Sequence, residues 1–229
     1  MHDATKDIPY SVADEAATRE LFASPEFAEA FSAAARLLGC CFLLSPAKGG
    51  DGAAALAAIR SMDVASDWPF GDAADLARAA DLLARGANEG DLELGAEFGR
   101  LLRGPGKLPA PPWGSVYMDR DQVLYGWTWL ALREWMRKHG VHGEYSERDP
   151  EDQFGRLLVM CAQVSLDRPD LLPELLGEHL LPWAGRFLGQ FEEGARLFTY
   201  KGIAALSAAT LSGVQSLAGI RPAPRRFFR

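Results

Sequence analysis

The chain has 229 residues, 48% of them hydrophobic, which is enough to bury a sizeable core in one large domain or two small ones. Its formal net charge of −7 argues against a nucleic-acid binder and favours a cationic partner through long-range attraction, although an acidic surface also serves solubility alone. No apolar run approaches the roughly 18 residues that a membrane span requires, so we predict that the chain is not an integral membrane protein.

The first part of the chain carries clear helix signals. Residues 1–10 are polar and contain no apolar stretch, which predicts a frayed terminus and no secretory signal. A short helix is expected over 14–23. Ser24, Pro25 and Glu26 then combine an N-cap serine, a first-turn proline and an acid at the positive end of the helix dipole. Apolar residues recur every three to four positions after them and predict one buried stripe, formed by Phe27, Phe31, Ala34, Leu38 and Cys41.

The middle and the C-terminal part are predicted to be helical as well. Asp51 and Asp72 stand where N-caps are expected. A helix over 91–103 is expected to place four residues on one buried face: Leu92, Gly95, Phe98 and Leu102. The next helix is expected over 121–139 and should end at Gly140. Its tryptophans are expected mostly in the core or in a groove wall: Trp127, Trp129 and Trp135. Further helices are predicted from 149 onward and over 170–181, 182–193 and 195–218.

The sequence shows no strict alternation of apolar and polar residues beyond about four positions, so it predicts no strand. We therefore predict an all-α fold, a single-domain bundle of roughly ten helices over 1–229. The ends, at about 1–10 and 221–229, are expected to fray.

The familiar catalytic patterns are absent from the sequence. It contains no phosphate loop with a lysine, no dinucleotide-binding glycine fingerprint, no H-E-x-x-H and no G-x-S-x-G. His139 and His142 flank Gly140 and do not share a helical face, so we predict no metal site there. The three cysteines have no C-x-x-C spacing and are predicted to be reduced, buried thiols of a cytoplasmic protein: Cys40, Cys41 and Cys161. We predict neither an enzyme nor a bound cofactor.

Two short stretches stand out from this helical background. Residues 111–120, PPWGSVYMDR, begin with two prolines that hold the backbone extended, and they present the rings of Trp113 and Tyr117. Residues 149–154, DPEDQF, place three acids at a predicted helix start. One interpretation of the acids is capping, with the first aspartate as N-cap. The other is that one or two carboxylates project beyond the cap and receive guanidinium groups.

Both stretches, at this separation, resemble the motifs of the TorD/DmsD family, most of all those of its DmsD branch. The likeness covers most of the chain from about Phe27 and is strongest over 111–188, where LYG at 124–126, LALREWMR at 130–137 and HLLPW at 179–183 also fit. Family members are all-helical cytoplasmic chaperones for molybdoenzymes that are exported by the twin-arginine pathway. The resemblance implies that this chain binds the twin-arginine signal peptide of such a precursor, a dimethyl sulfoxide reductase-type catalytic subunit. It would thereby delay export until folding and cofactor insertion.

The resemblance also implies which residues bind the peptide. They come from the loop, from the acidic stretch and from the helix before the loop: Pro112, Trp113, Tyr117, Arg120, Asp149, Pro150, Asp152, Gln153, Phe98 and Leu102. Two positions depart from the family's usual Glu-Pro-x-Asp-His pattern, because Asp149 replaces glutamate and Gln153 replaces histidine. Gln153 can form hydrogen bonds but cannot become charged near neutral pH.

The resemblance allows further partners, namely molybdenum-cofactor biosynthesis proteins and the translocase, which would bring a cytoplasmic chaperone to the periphery of the inner membrane. Two other functions stay open. One is an assembly factor that binds the mature part of a respiratory molybdoenzyme and assists cofactor insertion. The other is an enzyme, a hydrolase or a nucleotide-dependent factor, for which the sequence holds no motif.

Overall fold

The computed structural model describes residues 8–47, 50–104, 106–143 and 149–229. Nearly all regular structure in these ranges is helical, which confirms the all-α prediction, while the extent of the single domain stays a prediction. The α-helices are α1 (Glu15–Ala23), α2 (Pro25–Leu43), α3 (Asp51–Ser61), α4 (Val64–Asp67), α5 (Ala73–Arg85), α6 (Asp91–Phe98), α7 (Gly114–Met118), α8 (Trp127–His139), α9 (Phe154–Asp167), α10 (Leu172–Glu174), α11 (Leu181–Gly194) and α12 (Phe198–Leu217). No helix in the described ranges has both the length and the apolar character to cross a membrane.

The helix starts confirm two of the predicted caps and correct a third. Ser24 accepts a hydrogen bond from the backbone N–H of Phe27 at 3.3 Å. Asp72 accepts one from the backbone N–H of Asp75, in the first turn of α5, at 2.9 Å. Asp51 is not a cap. Gly50 holds the N-cap position, and Asp51 is the first residue of α3, where its carboxylate still faces the positive end of the helix dipole.

Helices α2 and α9 form the centre of the fold, and two glycines set how closely they approach. A Cβ atom added at Gly39 would lie 2.9 Å from the carbonyl oxygen of Gly155, and one added at Gly155 would lie 2.8 Å from that of Gly39. Neither position admits a side chain without moving a backbone. The stripe predicted for α2 is buried throughout: Phe27, Phe31, Ala34, Leu38 and Cys41.

An aromatic cluster fills the space between α2, α9 and α11. Phe42 meets Phe154 edge to face at 4.8 Å between ring centroids, and Phe187 packs on Phe154 at the same distance. Tyr117 stacks on Trp183 at 5.7 Å. Because Tyr117 belongs to α7, this cluster fixes the short helix of the proline-rich loop to the core.

Helix α8 begins six residues later than the sequence predicts. Gln122 and Tyr125 have positive φ angles, 52° and 63°, so the segment before Trp127 turns and exposes its side chains. The predicted end is confirmed, because Gly140 adopts the left-handed conformation with φ of 67°.

The helix predicted over 91–103 changes its geometry midway. It begins at Asp91 as α6 and continues as a turn of π-helix, Gly99–Arg103. Leu92, expected on the buried face, is 91% exposed, and Leu94 is buried instead. A similar change interrupts the region after α9, where a 3₁₀ turn, α10 and a π turn lead into α11.

The two ends of the described chain lie side by side. Two-residue strands, β1 (Ser11–Val12) and β2 (Ile220–Arg221), pair antiparallel; they are too short to show alternation in the sequence. The backbone N–H of Tyr10 donates to Oε1 of Glu178 at 2.6 Å. Of the N-terminal segment predicted to fray, residues 1–7 lie outside the described residues.

The C-terminal segment, residues 222–229, is irregular but not frayed as predicted. Arg225 forms an ion pair with Glu178 at 2.6 Å. The backbone N–H of Phe228 donates to the carbonyl oxygen of Tyr117 at 2.9 Å, so the segment is tied to the proline-rich loop.

Candidate functional site

The two stretches singled out in the sequence are joined through their backbones. The N–H of Phe154 donates to the carbonyl oxygen of Pro112 at 2.7 Å. Trp113 and Gln153 form an isolated antiparallel bridge beside this bond. The prolines favour this arrangement, because they keep their backbone extended and can only accept hydrogen bonds. We call this contact between residues 112–115 and 152–154 the junction.

Asp152 lies inside the junction, whereas the guanidinium-binding interpretation placed it beyond a helix cap. It is 1% exposed, and its Oδ2 accepts a hydrogen bond from the backbone N–H of Ser115 at 2.7 Å. Its carbonyl oxygen accepts one from Gly114 at 3.1 Å. Burial, aided by the nearby charge of Asp119, raises the pKa of Asp152 to about 6 against the lowering effect of Ser115. Asp152 is therefore closed to solvent in this structure, and its carboxylate holds the loop through Ser115.

The acids do not cap α9 as the capping interpretation predicted. The helix begins at Phe154, and Gln153 is its N-cap, with Oε1 accepting from the backbone N–H of Arg156 at 2.9 Å. The Nε2 atom of Gln153 donates to the carbonyl oxygen of Phe42 at 3.3 Å. The Gln153 amide thus holds α9 to α2, and Asp149 has no capping role.

An open cavity of about 240 Å³ lies beside the junction. Its lining comprises Leu43, Leu102, Arg103, Gly104, Leu108, Trp113, Asp149 and Gln153. The structure thus brings together four of the residues that the resemblance implied, namely Leu102, Trp113, Asp149 and Gln153. Trp113 is partly exposed, while the Asp149 side chain is 42% exposed. The cavity therefore combines an apolar wall with a partly exposed carboxylate, which lies 3.4 Å from the Arg103 guanidinium.

The other implied residues do not line this cavity. Tyr117 is fully buried, and burial raises its pKa above the usual range, so it is a core residue and not the loop aromatic we predicted. Pro112, Pro150 and Phe98 are buried too, so they support the structure around the cavity from within the protein. Arg120 is exposed beyond the end of α7.

Glu151 is a candidate site residue that the sequence did not predict. Its Oε2 accepts a hydrogen bond from the indole N–H of Trp129 at 2.5 Å, and its Oε1 lies 3.7 Å from Nε of Arg133. Glu151 thus ties the acidic stretch to α8. The sequence held no signal that separates it from Asp149 and Asp152, because all three acids fit the same capping argument.

Large apolar side chains are exposed together in the turn before α8 and in its first residues. These residues, which we call the α8 apolar surface, are Val123, Leu124, Tyr125, Trp127 and Leu130. Trp127 is 73% exposed, which rules out the core but not the groove wall of the two positions expected for it, whereas Trp135 is buried. Tyr125 packs edge to face on Trp129 at 5.0 Å, so this surface continues to Glu151. Exposed apolar side chains grouped in one stretch of chain make this surface a candidate interaction site.

The three cysteines face mostly inward. Cys41 and Cys161 are buried as predicted, while Cys40 is partly buried. Burial, with a smaller effect of Cys40, raises the pKa of Cys41 to about 12. Among the described residues, no group of three or more His, Cys, Asp or Glu side chains is placed to share a metal ion.

Comparison with known proteins gives a consistent result. A family model described as nitrate reductase delta subunit matches residues 67–189. The Tat proofreading chaperone DmsD of Salmonella typhimurium is 38% identical over 200 residues, which cover 87% of this chain and 96% of that protein. Chaperone protein TorD of Aliivibrio fischeri is 30% identical over 115 residues, covering 45% of this chain and 54% of its own length. Chaperone protein YcdY of Escherichia coli is 26% identical over 161 residues, covering 68% and 78%.

Proposed function

Since this chain belongs to the TorD/DmsD family, we propose that it is a Tat proofreading chaperone that binds the twin-arginine signal peptide of a molybdoenzyme precursor. Binding delays export until the enzyme has folded and received its cofactor. The observation that carries the proposal is the cavity beside the junction, where Trp113 and the accessible carboxylate of Asp149 meet. The proposed client is the dimethyl sulfoxide reductase-type catalytic subunit that the motifs imply.

The chemistry of the surface suits the two parts of such a peptide. A twin-arginine signal presents two guanidinium groups, and an apolar segment follows them. The carboxylate of Asp149 can receive a guanidinium, whose planar fork matches a carboxylate. The α8 apolar surface, which begins beside Glu151, suits the apolar segment. The net charge of −7 adds attraction for the cationic end of the peptide.

The place of action follows from the same proposal. A precursor that awaits export is in the cytoplasm, so we place the chaperone there. Contacts with molybdenum-cofactor biosynthesis proteins and with the translocase, the latter at the periphery of the inner membrane, belong to this proposal. No catalytic step is part of it.

Isothermal titration calorimetry with a synthetic twin-arginine signal peptide tests the proposal. We expect saturable binding with a dissociation constant of about 1 μM or below, a range typical of specific recognition. A peptide with both arginines changed to lysine should bind more weakly, because lysine lacks the bidentate fork. Equal binding of both peptides would move recognition to the α8 apolar surface alone.

The alternative is the assembly factor that binds the mature part of the molybdoenzyme. A signal peptide fused to an unrelated carrier protein separates the two functions, because only the signal-peptide chaperone binds the fusion. Failure to bind several twin-arginine signals, together with binding of the mature enzyme, would favour the assembly factor.

A further inference from the structure

Arg103 places a guanidinium group of the chain itself at the cavity beside the junction. The residue closes the π turn Gly99–Arg103 that follows α6. Its Nη2 donates to the carbonyl oxygen of Leu43 at 3.0 Å, and its Nη1 lies 3.4 Å from Oδ2 of Asp149. Each of these three residues lines the cavity.

The two acceptors form a site that suits a guanidinium. Leu43 is the last residue of α2, and the carbonyl groups of a final helical turn lack intrahelical partners and carry the negative end of the dipole. Asp149 adds a full negative charge from another part of the chain. A planar cation with donors on two sides satisfies both, and the indole of Trp113 in the same lining offers a face for stacking.

The contact of Arg103 is loose enough to exchange. The Arg103 and Asp149 side chains are 51% and 42% exposed, and ion pairs so open to water are weak. Its neighbour Arg100 is held quite differently. It binds both carboxylate oxygens of the buried Glu97 at 2.6–2.7 Å and also donates to the carbonyl oxygen of Gly194 at 2.6 Å. Arg100 is thus fixed by buried contacts, whereas the exposed contacts of Arg103, within the same turn, can be exchanged for those of another cation.

We infer that the cavity is a guanidinium site which Arg103 occupies in the unbound protein, and that an arginine of the partner peptide displaces it. The nature of the incoming group rests on the proposed function. Arg103 is then a built-in competitor that sets a threshold for binding: a ligand must supply a better placed guanidinium than the one the chain already holds.

Variants at Arg103 test the inference by calorimetry with the twin-arginine signal peptide. Arg103→Ala should tighten binding by about two- to fivefold, because the peptide no longer displaces an exposed ion pair. Arg103→Lys keeps the charge but loses the fork, so it should also tighten binding. If the higher peptide affinity of Arg103→Ala comes only from the loss of positive charge, Arg103→Lys will bind the peptide like the unmodified chain. That result would overturn the inference. Arg168→Ala, which breaks an exposed pair with Asp170, is the matched control and should change nothing.

Methylguanidinium serves as a probe that does not depend on the peptide. It should bind to Arg103→Ala and shift the NMR signal of the Trp113 indole N–H, and the double variant Arg103→Ala/Asp149→Asn should lose this response. The inference would be overturned if folded Arg103→Ala showed no response to methylguanidinium and neither Arg103 variant bound the peptide more tightly. Peptide binding to the unmodified chain would then still support the proposed function. Conversely, an Asp149-dependent response without any peptide binding would keep the guanidinium site and refute the signal-peptide chaperone.

Discussion

At the scale of single residues, Asp152 supports the site without reaching it. Its carboxylate lies in the junction and fixes the first turn of α7 through Ser115. The sequence could not separate this place from a helix cap, because the partner amide lies 37 residues away. The sequence places an acid near a predicted helix start, and the fold decides which way its carboxylate points.

The buried carboxyl group predicts a specific pH dependence of stability. The pKa of Asp152 is about 6 in the folded chain against an ordinary 3.8, so folding disfavours its ionised form. Below the ordinary pKa both states hold the proton and the group costs nothing. As the pH rises towards 6, the unfolded state loses the proton first. The free energy of unfolding then falls by up to about 3 kcal/mol. We predict that Asp152→Asn abolishes this loss, so that its free energy of unfolding gains up to about 3 kcal/mol on the unmodified chain between about pH 4 and pH 7.

Urea denaturation of both proteins across this pH range measures the effect. Asp149→Asn, which leaves Asp152 in place, is the control and should keep the pH profile of the unmodified chain. An Asp152→Asn profile parallel to that of the unmodified chain would mean that another group carries the titration.

At the scale of elements, the start of α8 depends on a carboxylate from the turn before it. Both oxygens of Asp119 accept from the backbone N–H of Thr128, at 3.1 and 3.2 Å, and Oδ1 also accepts from its hydroxyl at 2.8 Å. Gly126 lies against the same carboxylate, and a Cβ atom there would overlap Oδ2 of Asp119. The helix therefore starts where this cap allows it.

We predict that Asp119→Ala costs about 1–2 kcal/mol of stability, as the loss of a helix cap does. Gly126→Ala displaces the same carboxylate, so the double variant should cost clearly less than the sum of the single costs. Urea denaturation gives these free energies. Gly95→Ala is the control, because nothing lies within 4 Å of its added Cβ, and alanine favours the helix. Additive costs would show that the two residues act independently.

The α8 apolar surface predicts a separate effect on binding. Trp127→Ser should weaken binding of a complete signal peptide by about tenfold, because a large exposed aromatic ring no longer covers the apolar segment. A shortened peptide that ends after the arginines should bind both proteins equally. Calorimetry with both peptides checks this, with Leu166→Ser on the exposed side of α9 as control. Equal loss with both peptides would indicate general damage to α8.

At the scale of the whole molecule, the C-terminal segment connects the end of the chain with the site. Besides the bond from Phe228 to Tyr117, Nε2 of Gln122 donates to the carbonyl oxygen of Phe228 at 2.6 Å. The Arg229 guanidinium donates to the carbonyl oxygen of Pro109 at 3.0 Å. The C-terminal segment thus stabilises the stretch from Pro109 to Gln122 through these hydrogen bonds.

We predict that removal of residues 226–229 speeds amide hydrogen exchange in residues 114–118 and weakens signal-peptide binding a few-fold, because the loop loses these bonds. Exchange mass spectrometry measures the first effect. Phe228→Ala keeps the backbone bonds and should exchange much like the unmodified chain. Unchanged amide hydrogen exchange in residues 114–118 of the shortened protein would show that the C-terminal segment does not stabilise this helix.

The sequence predicts contacts that follow from local periodicity and misses those that join distant segments. The α2 stripe, the Ser24 cap and the Gly140 terminus needed only neighbouring residues, and all three are confirmed. The burial of Asp152 depends on a bond between distant segments, and the late start of α8 depends on a carboxylate nine residues before Thr128; both override local helix propensity. The candidate site therefore contains residues of both stretches, while several other side chains of these stretches are buried away from the cavity.

In the proposed complex, a twin-arginine signal peptide binds across the junction cavity and the α8 apolar surface. Photo-crosslinking tests it most directly, with a photoreactive residue placed either beside the arginine pair or within the apolar segment. The first probe should label 99–104, 106–114 or 149–153 and the second 123–130, and excess unlabelled peptide should abolish both signals. Labelling confined to the larger cavity of about 530 Å³ beside Tyr10, Arg19 and Asp170, or labelling that unlabelled peptide cannot suppress, would contradict the account.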